Sequence, residues 1–148
     1  MKHRLYRETM LVLVDGNNRN IILAIGLCVG EDENNCGWFI DQSKRSRVNF
    51  QGIPVFPDRG RALLPAIERR APEAISRFCT THIVSDIKHN FAEKYPPDIE
   101  AFVYKLQAAT TKAKFKSDVF TLSMPHPDIA DYVSSIPAER WAMYPGSI

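Results

Sequence analysis

Ile53-Pro54-Val55-Phe56-Pro57-Asp58-Arg59-Gly60-Arg61-Ala62-Leu63-Leu64-Pro65-Ala66-Ile67, continuing to Ile75-Ser76-Arg77-Phe78, is the stretch on which the fold turns. Ile53 to Phe56 is a short apolar run closed by Pro57, the pattern of a strand. Asp58-Arg59-Gly60 reads as a turn. Ala62, Leu63, Ala66 and Ile67 then recur at helical spacing until Pro72 stops the pattern. Ile75 to Phe78 reads as the next strand. Strand, helix and strand in this order make a βαβ unit, whose crossover helix leaves the two strands parallel.

Upstream, Met10 to Val14 and Ile21 to Val29 are apolar runs flanking Asp15-Gly16-Asn17-Asn18, a turn signal, so the three together predict an antiparallel hairpin. Both runs are apolar almost without a break. The hairpin is therefore expected to be covered on both faces and to share a sheet with Ile53 to Phe56. Asn34 to Ser43, with Trp38, Phe39 and Gln42, predicts a helix. Downstream, His82 to Phe91 predicts a helix ended before Pro96-Pro97, and the remainder offers no β-rich run. Ile99, Phe102, Val103 and Leu106 repeat at helical spacing, as do Phe115, Val119 and Leu122, and then Ile129, Tyr132 and Val133. The chain is read as α/β, with an incomplete sheet in residues 1–95 and a helical region in residues 96–148, an insertion or the C-terminal part of the same domain. No internal repeat or low-complexity segment is visible.

The composition suits a globular domain: 148 residues, 45% hydrophobic and 24% charged, enough to bury a core. A net charge of +2, from 19 basic and 17 acidic residues, excludes a heavily basic nucleic-acid binder, so any phosphate-binding surface must be local. Lys44, Arg45 and Arg47 form one basic place, and Arg59, Arg61, Arg69 and Arg70 another. For each, a solvated helix face or loop is the preferred reading over a phosphate contact. Cys28, Cys36 and Cys79 are odd in number and lack CxxC spacing, which argues against a disulfide framework or a zinc ribbon and for a reducing compartment. The longest apolar stretch, Ile21 to Val29, is far shorter than the ~20 residues of a membrane span, so no membrane association is expected. Met1 to Arg7 is basic with no apolar core behind it, and no secretion signal is expected.

Asp58 follows a strand and precedes a helix, the position at which open α/β sheets place ligand sites. It can also simply cap that helix. Cys79 and His82 stand where a strand becomes a helix. Two such ligands do not complete a zinc sphere, so they read either as a hydrogen-bonded pair or as part of a site completed from elsewhere.

In order, Val14-Asp15-Gly16-Asn17-Asn18, Gly30-Glu31 leading to Trp38-Phe39, Phe56-Pro57-Asp58-Arg59-Gly60, and Arg77-Phe78-Cys79-Thr80-Thr81-His82 resemble the catalytic domain of Mutator-like element transposases. The resemblance covers residues 1–91 well and the helical remainder loosely. It implies a ribonuclease-H-like core that cuts and joins DNA (DDE-type chemistry) with three acidic residues and Mg²⁺ or Mn²⁺. Such chemistry uses two metals, held by carboxylate oxygens, to activate the attacking oxygen and stabilise the leaving one. By resemblance, Asp58 matches the second catalytic aspartate and a metal ligand. Cys79 and His82 match the family's Cys-x-x-His element, a supporting pair.

The sequence also departs from the family. The family's first aspartate precedes a Lys-His pair, and Lys2-His3 stand at the start of this sequence, so that aspartate and its strand are expected to be missing. Asp15 does not replace it, because it belongs to the hairpin turn. Glu139, beside Arg140 and Trp141, is the best local candidate for the third acid. Asp86 stands where the family often has asparagine, and the flanking zinc modules of full-length relatives are absent. The resemblance therefore implies a truncated transposase core with a weakly bound or absent metal. Its implied partner is DNA, contacted through Arg59 and Arg61; it further implies pairing with a second copy or another transposase chain, and a nuclear location. A transposase-derived module that binds nucleic acid or protein without catalysis, and a ribonuclease-H-like nuclease, are the alternatives.

Overall fold

A computed structural model of the chain describes residues 24–57 and 59–144 and, for the backbone alone, 7–9, 13–14 and 20–21. The hairpin is present. Strand β1 (Arg7–Thr9) pairs antiparallel with β4 (Gly26–Cys28), and β2 (Leu13–Val14) with β3 (Asn20–Ile21). Val14 faces Asn20, so the pairing closes around the expected turn, whose residues Asp15 to Asn18 lie outside the described ones. Three residues separate β1 from β2 and four separate β3 from β4, so the register shifts by one between the two ladders. Such a shift exchanges the faces to which successive side chains point.

Helix α1 (Glu33–Arg45) packs on one face of this hairpin. Its Phe39 ring lies against Gly26, where a Cβ would come within 2.2 Å of Cδ2, so only glycine allows this approach. Gly26 and Cys28 are buried while Ile25, Leu27 and Val29 are 61%, 55% and 73% exposed. The expected cover on both faces is thus corrected: among the described residues, the helix takes one face and the other face of β4 meets solvent. The start of α1 is corrected too. Asp32 caps it by accepting a hydrogen bond from the Asn35 backbone N–H (2.9 Å), two residues before the expected cap at Asn34. At its other end Arg47 has φ +67°, with Val48 N–H bonded to Ser43 C=O and Arg47 N–H to Lys44 C=O. This is the pattern of a Schellman stop, usually made by glycine.

The βαβ unit is also present. Strand β5 (Pro54–Val55) runs parallel to β6 (Ile75–Ser76), with α2 (Leu63–Arg70) between them in the chain. Pro65 sits in the first turn of α2, where a missing N–H costs no intrahelical bond. The expectation that Ile53 to Phe56 lies in one sheet with the hairpin is not met: among the described residues β5 is bonded to β6 and to no hairpin strand. Pro54 fits this edge position, since it has no backbone N–H to donate to a further strand. Cys36, Ile40, Phe50, Val55, Ala66 and Ile67 form the core of this first unit, residues 1–76. Ion pairs Glu33–Arg69 and Asp41–Arg70 (3.2 Å) run across the helix pair, and Lys44 of α1 reaches Glu73 just beyond α2 (2.7 Å).

The second unit, residues 77–148, is helical where described. It contains α3 (Thr80–Asn90), α4 (Ile99–Gln107), α5 (Lys112–Ser123) and α6 (Pro127–Ser135), with short 3-10 turns at Ala92–Lys94 and Ala138–Arg140. Ile83, Ile87, Val103, Leu106, Leu122 and Val133 are fully buried at its centre. Helix α3 shares this core, so the helical packing starts before Pro96-Pro97, at Arg77. Thr111 caps α5, and Pro127 opens α6 at the position where proline is preferred. The unit is closed by its own first residues. Phe78 N–H donates to Arg140 C=O (2.6 Å), the Arg77 guanidinium donates to the carbonyls of Glu139 (2.9 Å) and Ala142 (3.1 Å), and Arg140 stacks over the Phe78 ring at 4.7 Å. The chain is therefore an α/β protein, mostly helical where described, and no helix among its described residues is long and apolar enough to cross a membrane.

Candidate functional site

The connection that leaves β5 carries the residues on which the sequence reading centred. Val55 and Pro57 are buried, Arg59 and Gly60 half-buried, and Arg61 exposed; Asp58, between them, lies outside the described residues. The cap position of α2 is held by Ala62, four residues beyond Asp58, and Ala62 makes no side-chain cap.

Gly60, Arg61 and Ala62 line one part of an open cleft of about 470 Å³, and Glu31, Asp32 and Glu33 line the rest. The chain brings them together because β4 delivers the acidic trio to the start of α1 while β5 delivers the arginine to the start of α2. Two of the three carboxylates are committed. Asp32 receives both the Asn35 backbone N–H and the Asn35 side-chain amide (2.7 Å), and Glu33 pairs with Arg69. Glu31 makes no ion pair with a described residue. Three carboxylates against one guanidinium make a cleft that attracts cations and, when no cation is present, opposes a phosphate approaching Arg61.

A two-metal site needs a cage of oxygen donors. No group of three or more His, Cys, Asp or Glu placed to hold a metal ion occurs among the described residues. The described donors do not by themselves fit the Mg²⁺ or Mn²⁺ pair, since two of the cleft's carboxylates already have partners.

Cys79 is half-buried at the N-cap position just before α3, three residues beyond β6; His82 is exposed on the first turn. They are joined through the backbone, His82 N–H donating to Cys79 C=O at 3.1 Å, and their side chains share no hydrogen bond among the described residues. The hydrogen-bonded side-chain pair is therefore corrected to an ordinary first helical turn. Glu139 sits exposed in the 3-10 turn of the second unit, its carbonyl held by Arg77. Asp86, half-buried on α3, accepts from the Tyr132 hydroxyl of α6 at 3.5 Å.

One charged site was missed by sequence reading. Asp118 is 3% exposed and receives Lys114 (2.5 and 2.6 Å) and Lys105 (3.2 Å). Burial alone would push its carboxyl up, but hydrogen bonds and charge from both lysines hold it below the usual carboxylate range. A signal existed: Asp118 falls on the Phe115–Leu122 stripe with a lysine four residues before it.

No known protein family matches the chain, and no curated protein matches it.

Proposed function

We propose that this chain is part of a transposase-derived, ribonuclease-H-like core, in which Asp58 is the metal-binding aspartate of DNA cleavage and strand transfer. The observation that carries this reading is the parallel crossover β5–α2–β6, with Asp58 falling in the sequence between β5 and α2. Parallel strands send their following segments out at one edge of the sheet, the edge where α/β folds hold ligands. The motif order along residues 14–82 supports the same reading. DNA is the partner, Arg59 and Arg61 the phosphate contacts, Mg²⁺ or Mn²⁺ the ion, and the nucleus the place of action. A second copy or another transposase chain completes the site, because in-line phosphoryl chemistry needs two metals about 4 Å apart, each with carboxylate ligands, and Asp58 alone leaves most ligand positions to water.

The test is paramagnetic broadening by Mn²⁺ in the ¹H–¹⁵N spectrum of the chain. Amides of residues 59–61 should broaden first, weakly, and Asp58→Ala should abolish the effect, while DNA stays uncut by the chain alone. No broadening near Arg59, or broadening indifferent to Asp58→Ala, removes Asp58 from a metal role. Metal-dependent strand transfer by the chain alone, lost in Asp58→Ala, would show that it already holds a complete acidic site.

A further inference from the structure

The second unit carries a groove that the reading above does not use. It is an open hollow of about 350 Å³ between α5 and the segment that follows α6. Phe115 and Val119 of α5 and Ile136 beyond α6 give it an apolar floor. Lys112 and Lys116 stand on the α5 side, and Glu139 and Tyr144 line it from the segment after α6. Lys112, Phe115, Lys116 and Val119 are spaced three or four apart, so one helix face presents cation and hydrocarbon together.

The charge at this groove follows from the sequence around it. Residues 101–117 hold four lysines and no carboxylate. Asp118 engages two of them, Lys105 and Lys114. Lys112 and Lys116 make no ion pair with a described residue. Two lysines against the single Glu139 leave a lining charge of +1. Burial, and then the neighbouring Glu139 carboxylate, push the Tyr144 phenol up, so its hydroxyl stays a donor.

We propose that this groove binds a small monoanion with an apolar body, its carboxylate between Lys112 and Lys116 and its hydrocarbon on Phe115, Val119 and Ile136. A neutral ligand of the same shape forgoes the ammonium contacts. A dianion brings its second charge toward Glu139. Apolar pockets near the small end of the ligand-binding range are oriented in this way by a few charged groups at the mouth.

The probe is 4-phenylbutyrate, titrated into the full chain and followed by ¹H–¹⁵N NMR, with 4-phenyl-1-butanol and phenylsuccinate as neutral and dianionic comparators. The acid should shift the amides of Phe115, Val119 and Ile136 and bind about tenfold more tightly than either comparator. The double variant Lys112→Gln/Lys116→Gln, at two exposed positions, should weaken the acid about tenfold and leave the alcohol unchanged. Equal binding of acid and alcohol, an unaffected double variant, or shifts confined to other residues would overturn the proposal, as would absence of binding. None of these outcomes touches Asp58, so the groove and the metal reading fail separately.

Discussion

Gly26 and Phe39 are in direct contact: the ring edge occupies the space in which any side chain at position 26 would begin, 2.2 Å from an added Cβ. The hairpin and α1 are joined at this point. Gly26→Ala should destabilise the first unit by about 2 kcal/mol, in the range of overpacking a filled core. Denaturant unfolding should show a lower midpoint with little change in slope. The pair Gly26→Ala with Phe39→Leu should recover part of the loss, and an unaltered midpoint in the single variant would mean that the ring does not rest on the strand.

Arg47 stops α1 in a left-handed conformation at φ +67°, which costs an L-residue about 1 kcal/mol. Arg47→Gly relieves that cost and gives back a part through the freer unfolded chain. The net expectation is a gain of about 0.5 kcal/mol, read as a higher Tm. Arg47→Val should do the opposite, because branching at Cβ makes the same conformation worse.

Asp118 links α5 to α4 through Lys105 and supplies a pH dependence. Its carboxyl is held below the usual range, so its contribution is complete above the unfolded value near pH 3.8 and is lost as the pH falls through the lower folded value. Asp118→Asn should cost about 1 to 2 kcal/mol at pH 7, after allowing for the half-exposed lysines. That cost should shrink steadily as the pH falls below about 4. A cost that is the same at pH 7 and pH 2 would show that the aspartate's charge plays no part.

DNA affinity should be modest and tied to few phosphates. Arg59 and Arg61 permit about two contacts, so the slope of log affinity against log salt should be about −2, and Arg61→Ala should reduce its size by about one. A slope beyond about −5 would require a basic surface that a chain of net charge +2 gathers in some other way.

The periodic parts of the fold were legible. Each helix announced itself by apolar spacing, and the strand–helix–strand order around Asp58 predicted the parallel pair that is observed. What escaped was set by single residues whose effect is not periodic. Pro54 was counted within an apolar run, although its missing N–H suits β5 to an edge. Ile25, Leu27 and Val29 looked like a buried face because hydrophobicity does not say whether a cover exists. Pro96-Pro97 suggested a boundary, whereas Ile83, Val84 and Ile87 pack with α4 to α6. The arginine clamp of Arg77 is invisible for a different reason: its acceptors are backbone carbonyls, which every residue possesses. For the candidate site, the sequence located the loop of Arg59 to Arg61, but not the acidic trio that shares its cleft, because that meeting depends on how α1 packs beside α2.

The clamp has a consequence for how the protein is made. Arg77 reaches the carbonyl of Glu139 across a sequence separation of 62 residues, and Phe78 closes the same seam at Arg140. The cost of joining such distant points grows only slowly with the length of the intervening loop, but it cannot be met before both points exist. While the ribosome is still translating α6, the helices of the second unit are present without the seam that ties their beginning to their end. Emergence of residues 139–142, rather than the appearance of any helix, is the event that lets this half of the molecule lock.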